Sequence, residues 1–323
     1  MAFREILTPI PAAVGPTASG KTAFSLALGR MLSAEIVCCD SMQVYREMDI
    51  GTAKPTAAEQ AVLPHHMLDF LPPGAPYSAA DYATDALACI EDILSRKKTP
   101  LLCGGTGLYL ASLRRGGAVS ESPPADPALR EELSARGATE EGRAALHREL
   151  AAVDPEAAAA IHPNNLRRVV RALEIYRLSG RTKSEWDALS KEGETLPLLP
   201  FGLRYQNREI LAARIEKRID AMLAEGLLDE VRRLEQNGVF TENSTAAQAI
   251  GYKEFLPYLR GECSLEDARA TLILATRHYA KRQMTWFSAD PTVYWLTVDR
   301  ADGSLRTAED LAEEAYGVYK ERL

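Results

Sequence analysis

Gly15-Pro16-Thr17-Ala18-Ser19-Gly20-Lys21-Thr22 fits the pattern G-x-x-x-x-G-K-[ST]. In a loop of this kind, backbone N–H groups cradle phosphate oxygens at the positive end of the following helix. Lys21 adds a mobile cation, and Thr22 a hydroxyl suited to Mg²⁺. The stretch predicts a polyphosphate ligand and, because such a loop joins a strand to a helix, an α/β sheet. On its own it suggests a nucleotide such as ATP and phosphoryl transfer.

Working outward, residues 5–14 read as the strand that enters the loop and 21–33 as the helix that leaves it. Pro9 and Pro11 are awkward in a central strand, since proline removes a ladder donor. The strand is therefore expected to enter the sheet late, near Ala12-Ala13-Val14. Residues 34–39 form a short apolar strand ending at Asp40-Ser41. Helical periodicity covers 78–96. Residues 100–103 make a further strand, which ends at Gly104-Gly105-Thr106-Gly107. Strand–helix–strand alternation with glycines at the strand ends predicts a parallel α/β sheet.

Composition shifts near residue 116. Gly116-Gly117, Ser122-Pro123-Pro124 and Asp126-Pro127 mark a domain exit. Residues 128–190 are mostly helical. The apolar stretch 198–203 returns to the sheet, with Pro200 expected to shorten it. Residues 208–237 read as one long amphipathic helix or two, 265–288 as another helix, and 293–298 as a late strand. The expected organisation is a core in two parts, residues 1–118 and 197–323, interrupted by a helical insertion at 119–196.

The 323 residues are 46% hydrophobic and 26% charged, enough for an ordinary buried core. A formal net charge of −7 argues against a generic nucleic-acid coat protein, though not against a local basic groove. Five cysteines without C-x-x-C or metal-ligand spacing suggest reduced thiols and a cytoplasmic setting. There is no signal-peptide pattern and no apolar run long enough for a bilayer, so no membrane role is expected.

Ligands of open α/β sheets sit at the carboxyl ends of the strands. Asp40 is there as a candidate general base or Mg²⁺ ligand, and Thr106 as a hydroxyl on a glycine-rich turn; either could instead be a cap. Arg167, Arg168 and Arg171 form a basic cluster, with Arg167 and Arg171 one helical turn apart. Two readings stand for it, a solvated face or phosphate-backbone contact. Arg214 and Arg218 recur at helical spacing, and Lys281, Arg282, Gln283 and Trp286 interleave cations with an aromatic, which suits an unstacked base. His65-His66 lack partners at metal-ligand spacing.

Taken in order, the motifs resemble the bacterial tRNA dimethylallyltransferase (isopentenyl-tRNA transferase, IPP transferase) family. Besides the phosphate loop, the resemblance rests on Asp40-Ser41-Met42-Gln43-Val44-Tyr45, Asp49-Ile50-Gly51-Thr52-Ala53-Lys54-Pro55 and Gly104-Gly105-Thr106-Gly107-Leu108-Tyr109. It continues through Ala249-Ile250-Gly251-Tyr252-Lys253 and Ala280-Lys281-Arg282-Gln283-Met284-Thr285-Trp286-Phe287. The resemblance implies a P-loop NTPase-like parallel sheet with a helical insertion. It also implies transfer of a dimethylallyl group from dimethylallyl diphosphate to N6 of adenosine 37 in tRNAs reading UNN codons, with Mg²⁺ and release of diphosphate. The loop, Gly15, Pro16, Thr17, Ala18, Ser19, Gly20, Lys21 and Thr22, then holds the donor diphosphate, with Thr22 on Mg²⁺ and Arg214 or Arg218 reaching the phosphates.

Asp40 matches the family's catalytic aspartate and Thr106 its substrate-contacting threonine. Contacts to the tRNA anticodon stem-loop carry over to Asp40, Ser41, Met42, Gln43, Thr106, Arg130, Arg167, Arg168, Val169, Val170 and Arg171. In the C-terminal half they fall on Gln248, Gly251, Tyr252, Lys253, Lys281, Arg282, Gln283 and Trp286. A monomer is expected. The chain departs from the family's pattern in its first-strand prolines and at Ser288, where a basic residue is common. It has no zinc-finger cysteines after the last motif, as in bacterial members. The alternatives are a P-loop small-molecule kinase, an adenylate isopentenyltransferase and a non-catalytic RNA-binding module.

Overall fold

The computed structural model describes residues 8–115, 123–192, 195–241 and 245–323. Residues 5–7 of the expected first strand, and Gly116, Gly117 and Ser122 of the expected exit, lie outside them. The described chain forms two compact units, Met1–Leu113 with Leu196–Leu323, and Arg114–Thr195.

The first unit is built on a parallel sheet of six strands among the described residues, in the order β3-β2-β4-β1-β5-β6. Its strands are β1 (Ile10–Val14), β2 (Ala34–Cys38), β3 (His65–His66), β4 (Thr99–Cys103), β5 (Leu198–Arg204) and β6 (Tyr294–Thr297). β1 is central and wholly buried. It starts at Ile10, earlier than its prolines suggested, and β5 is not shortened by Pro200. The reason lies in the alternation of parallel-strand donors. Ile10 donates to the Pro197 carbonyl at 2.7 Å, on the β5 side. The missing donor of Pro11 therefore faces β4, where pairing begins only at Ala12↔Leu102. By the same alternation, Pro100 faces β1 below that first pair. Pro200 faces β6, whose ladder starts at Phe201↔Tyr294. Each proline points its gap at a stretch where no ladder bond is due.

Helices cover both faces. On one, α1 (Lys21–Leu32) packs against α14 (Ala308–Lys320), burying Phe24, Leu28, Phe201 and Leu311. On the other, α3 (Ala79–Ser95) and α4 (Gly107–Arg114) pack over Val14, Val37 and Leu102. Ser78 caps α3 in a capping box with Asp81. A third cluster joins α10 (Arg208–Ala224), α11 (Leu227–Gln236) and α13 (Leu265–Ser288) to Val44, Tyr45 and Met48. The 208–237 segment is two helices because Gly226, at φ 103°, ends the first. The short helices α2 (Ala57–Gln60) and α12 (Leu256–Leu259) complete this unit.

The second unit is built from helices among its described residues: α5 (Pro127–Arg136), α6 (Glu140–Val153), α7 (Pro155–Ala160), α8 (Leu166–Ser179) and α9 (Lys183–Glu192). Its core gathers Leu133, Leu146, Leu150, Val169 and Leu173. No helix of the described residues is long and apolar enough to cross a membrane.

Candidate active site

The phosphate loop leaves β1 through Gly15 at φ 135°, where a Cβ would lie 2.8 Å from the Leu203 carbonyl oxygen. Ala18 at φ 61° and Gly20 at φ 95° complete the turn into α1. The loop's lysine turns inward onto its own backbone. Lys21 Nζ donates to the carbonyls of Pro16 (2.8 Å) and Gly15 (3.1 Å). Burial lowers its pKa to about 8; Arg218 adds repulsion, and the opposing pull of Cys103 and Asp40 is insufficient. The Ser19 hydroxyl is buried without a hydrogen-bond partner.

Arg214 Nε donates to the Ala18 carbonyl at 2.9 Å, which ties α10 to the loop. Arg218, one turn on, makes no hydrogen bond or ion pair among the described residues. Burial lowers its pKa, with repulsion from Arg214 set against the attraction of Asp40. Sequence spacing could not separate these two arginines. The structure does so by partner: Arg214 is engaged with the loop backbone and Arg218 is not.

The neighbouring strand ends supply the other half. Asp40 Oδ1 accepts the Met42 N–H at 2.9 Å. Thr106 Oγ1 accepts the Ser41 N–H at 3.0 Å, and the Thr106 N–H reaches the Cys39 carbonyl at 3.2 Å. Gly104 N–H meets the Ala13 carbonyl at 3.1 Å, so β1, β2 and β4 are knitted together just where the ligand end of the sheet begins. These parts surround a cavity of about 730 Å³, whose walls include Lys21, Thr22, Asp40, Arg214, Arg218 and Tyr279. Thr106 is set behind this wall: its hydroxyl meets Ser41 and Tyr279.

Tyr279 is a site residue that the sequence reading missed. Burial raises the pKa of its hydroxyl, as does nearby Asp40, against the hydrogen bond from Thr106. The Arg282 guanidinium lies 5.6 Å over its ring. The available signal was spacing, because Tyr279, Gln283 and Trp286 recur at i, i+4 and i+7 on α13.

Several residues expected to touch RNA have their side chains engaged inside the protein. The Gln43 amide accepts from Cys38 Sγ and donates to the carbonyls of Thr52 and Ala53, both at 3.1 Å. Tyr252 is fully buried against Gly51, its hydroxyl on Glu230 at 2.7 Å. The Glu230 carboxylate also accepts the N–H groups of Asp49, Ile50 and Gly51. Tyr252 thus anchors a turn of the cavity wall, which corrects its expected role as an RNA-facing side chain. Gln283 is buried between two backbone segments. Gln248, Lys253, Lys281, Arg282 and Trp286 are exposed.

In the helical unit, Arg167 and Arg168 are exposed, whereas Val169 and Val170 belong to the core, so their side chains cannot reach RNA. Arg130 and Arg171 both pair with Glu174, which is fully buried. Burial raises the Glu174 pKa, but Arg171, Arg130 and the Asp126 N–H outweigh it and the net shift is downward. Those two arginines are internal ion-pair partners as well as candidate surface cations. His66 pairs with Glu35 at 2.7 Å, and no metal-ligating cluster of His, Cys, Asp or Glu occurs among the described residues.

A phosphate loop after a central strand of a parallel sheet, with a carboxylate and two arginines lining the same cavity, defines a P-loop-like α/β enzyme. The sequence profile described as IPP transferase matches residues 43–290, and that described as isopentenyl transferase matches residues 9–69. The chain belongs to the IPP transferase family. It is 48% identical over 293 residues to a tRNA dimethylallyltransferase of Stenotrophomonas maltophilia, covering 88% of this chain and 90% of that one. Among solved structures, a tRNA isopentenylpyrophosphate transferase of Bacillus halodurans aligns with a TM-score of 0.68 at 41% identity, covering 97% of each chain. A eukaryotic dimethylallyltransferase acting on tRNA aligns with a TM-score of 0.77 at 29% identity, over 97% of this chain and 77% of that one.

Proposed function

We propose that the protein is a tRNA dimethylallyltransferase: it moves the dimethylallyl group of dimethylallyl diphosphate to N6 of adenosine 37, beside the anticodon, in tRNAs reading UNN codons. The observation that carries this reading is the cavity itself. It brings together groups suited to an anion, Ser19, Lys21 and Arg218, and the carboxylate of Asp40. Such a site suits a reaction in which one substrate departs as a polyanion while the other gives up a proton.

The adenine must leave the anticodon-loop stack to reach the cavity. Its N6 attacks C1 of the donor, the C–N bond forms and the C1–O bond breaks. The N6 proton passes to Asp40, and both phosphates leave together as diphosphate. Lys21 and Arg218 offset the charge that grows on the departing oxygens, and Arg214 holds the loop in shape through Ala18. Thr106 orders Ser41, which follows the base in sequence, and supports Tyr279. The donor set also fits Mg²⁺: the Thr22 hydroxyl lines the cavity without a hydrogen bond among the described residues, and the remaining oxygens would come from phosphates and water. When bound, Mg²⁺ would supply charge neutralisation for the diphosphate.

The test compares acceptors and donors. With dimethylallyl diphosphate and Mg²⁺, the protein should modify an unmodified tRNA bearing adenosines at 36 to 38 and leave AMP unmodified. AMP as the better acceptor would mean an adenylate isopentenyltransferase, and phosphorylation of a small molecule by ATP would mean a kinase.

A further inference from the structure

We infer that Gln283 is a positioning residue that fixes the donor loop against the catalytic turn, rather than a contact to RNA; this rests on the reading of the loop as the diphosphate site. Gln283 projects from α13 and is 5% exposed. Its Oε1 accepts the Thr17 N–H at 2.8 Å, and its Nε2 donates to the Gly105 carbonyl at 3.0 Å. Thr17 lies within the phosphate loop. Gly105 precedes Thr106, whose hydroxyl holds the Ser41 N–H next to Asp40. A single amide therefore spans the two halves of the site.

The fit demands this side chain. Thr17 presents a donor and Gly105 an acceptor, so the tip must both accept and donate, as a primary amide does and a carboxylate or thioether does not. The approach is tight: a Cβ on Gly105 would lie 2.1 Å from Gln283 Nε2. One turn on, the Trp286 ring covers Gly107, where a Cβ would meet it at 2.2 Å. One turn back, Tyr279 reaches Thr106. The same face of α13 thus grips the 105–107 turn at three levels, and Gln283 extends the grip to the phosphate loop.

Removing both hydrogen bonds with Gln283→Met should raise the Kd for inorganic diphosphate with Mg²⁺ about tenfold. The KM for dimethylallyl diphosphate should rise in step, while the Kd for unmodified tRNA stays at the wild-type value. Gln283→Glu keeps the acceptor but sets a second oxygen against the Gly105 carbonyl. Its donor affinity, relative to wild type, should be poor at pH 8 and recover as pH falls, because the protonated carboxyl can again donate. Urea melts at each pH show whether the Glu variant stays folded; this profile in folded protein is not expected of a merely structural role, and it carries the test if the Met variant does not fold. Unchanged diphosphate affinity in both variants, or a loss of tRNA affinity alone, would overturn the inference. Failure of the wild type to bind diphosphate would overturn the reading of the loop, and this inference with it.

Discussion

Lys21 ties the loop's affinity for anions to pH. Its ammonium group is turned onto two carbonyls and held at a pKa of about 8 by burial and by Arg218. A bound diphosphate favours the charged form, so the pKa of Lys21 must rise on binding. Binding is then strongest below about pH 8 and weakens as pH climbs above it, with a proton taken up in that range. Calorimetry in buffers of differing ionisation heat should detect this uptake at pH 9, and Lys21→Met should abolish it. Proton release, or none in the wild type, would contradict the assignment. The motif made Lys21 legible from the sequence. The pairing of Gln43, Tyr252 and Gln283 with internal partners was not, because a motif records that a residue type recurs at a spacing and not which way its side chain turns.

At the scale of elements, the sheet was largely readable from apolar runs bounded by Gly and Asp, and α13 matches its periodicity over the whole of 265–288. The prolines misled because their cost depends on which neighbour the missing donor faces, a property of register that no single strand encodes. The edge of the sheet carries a stability prediction. Glu35, buried in β2, is held at about 2 chiefly by Arg96 and further by His66, against the upward push of burial. Its pKa is depressed, so its stabilisation is present above the ordinary 4.5 and is lost as pH falls toward about 2. Glu35→Gln should cost on the order of 2 kcal/mol at pH 7. Urea melts should show the difference shrinking below about pH 4.5; a difference that persists at pH 2 would count against the pair.

For the whole molecule, a formal charge of −7 coexists with local groups of cations, among them Arg167 and Arg168 on the helical unit. Their exposure suits phosphate contact, whereas the neighbouring Arg171 is paired with Glu174. Arg167→Ala should weaken tRNA binding about tenfold at 0.1 M salt and lower the salt slope by roughly 0.7 to 0.9; an unchanged slope would remove Arg167 from the phosphate contacts. The chemistry at the core of the account is decided by what the tRNA gains. Nucleoside mass spectrometry after incubation with dimethylallyl diphosphate and Mg²⁺ should find N6-dimethylallyladenosine, formed in step with released diphosphate. With Asp40→Asn, product formation should fall about 100-fold or more while the variant still binds tRNA. A phosphorylated product, or no prenylated adenosine from folded wild-type protein that binds tRNA, would contradict it.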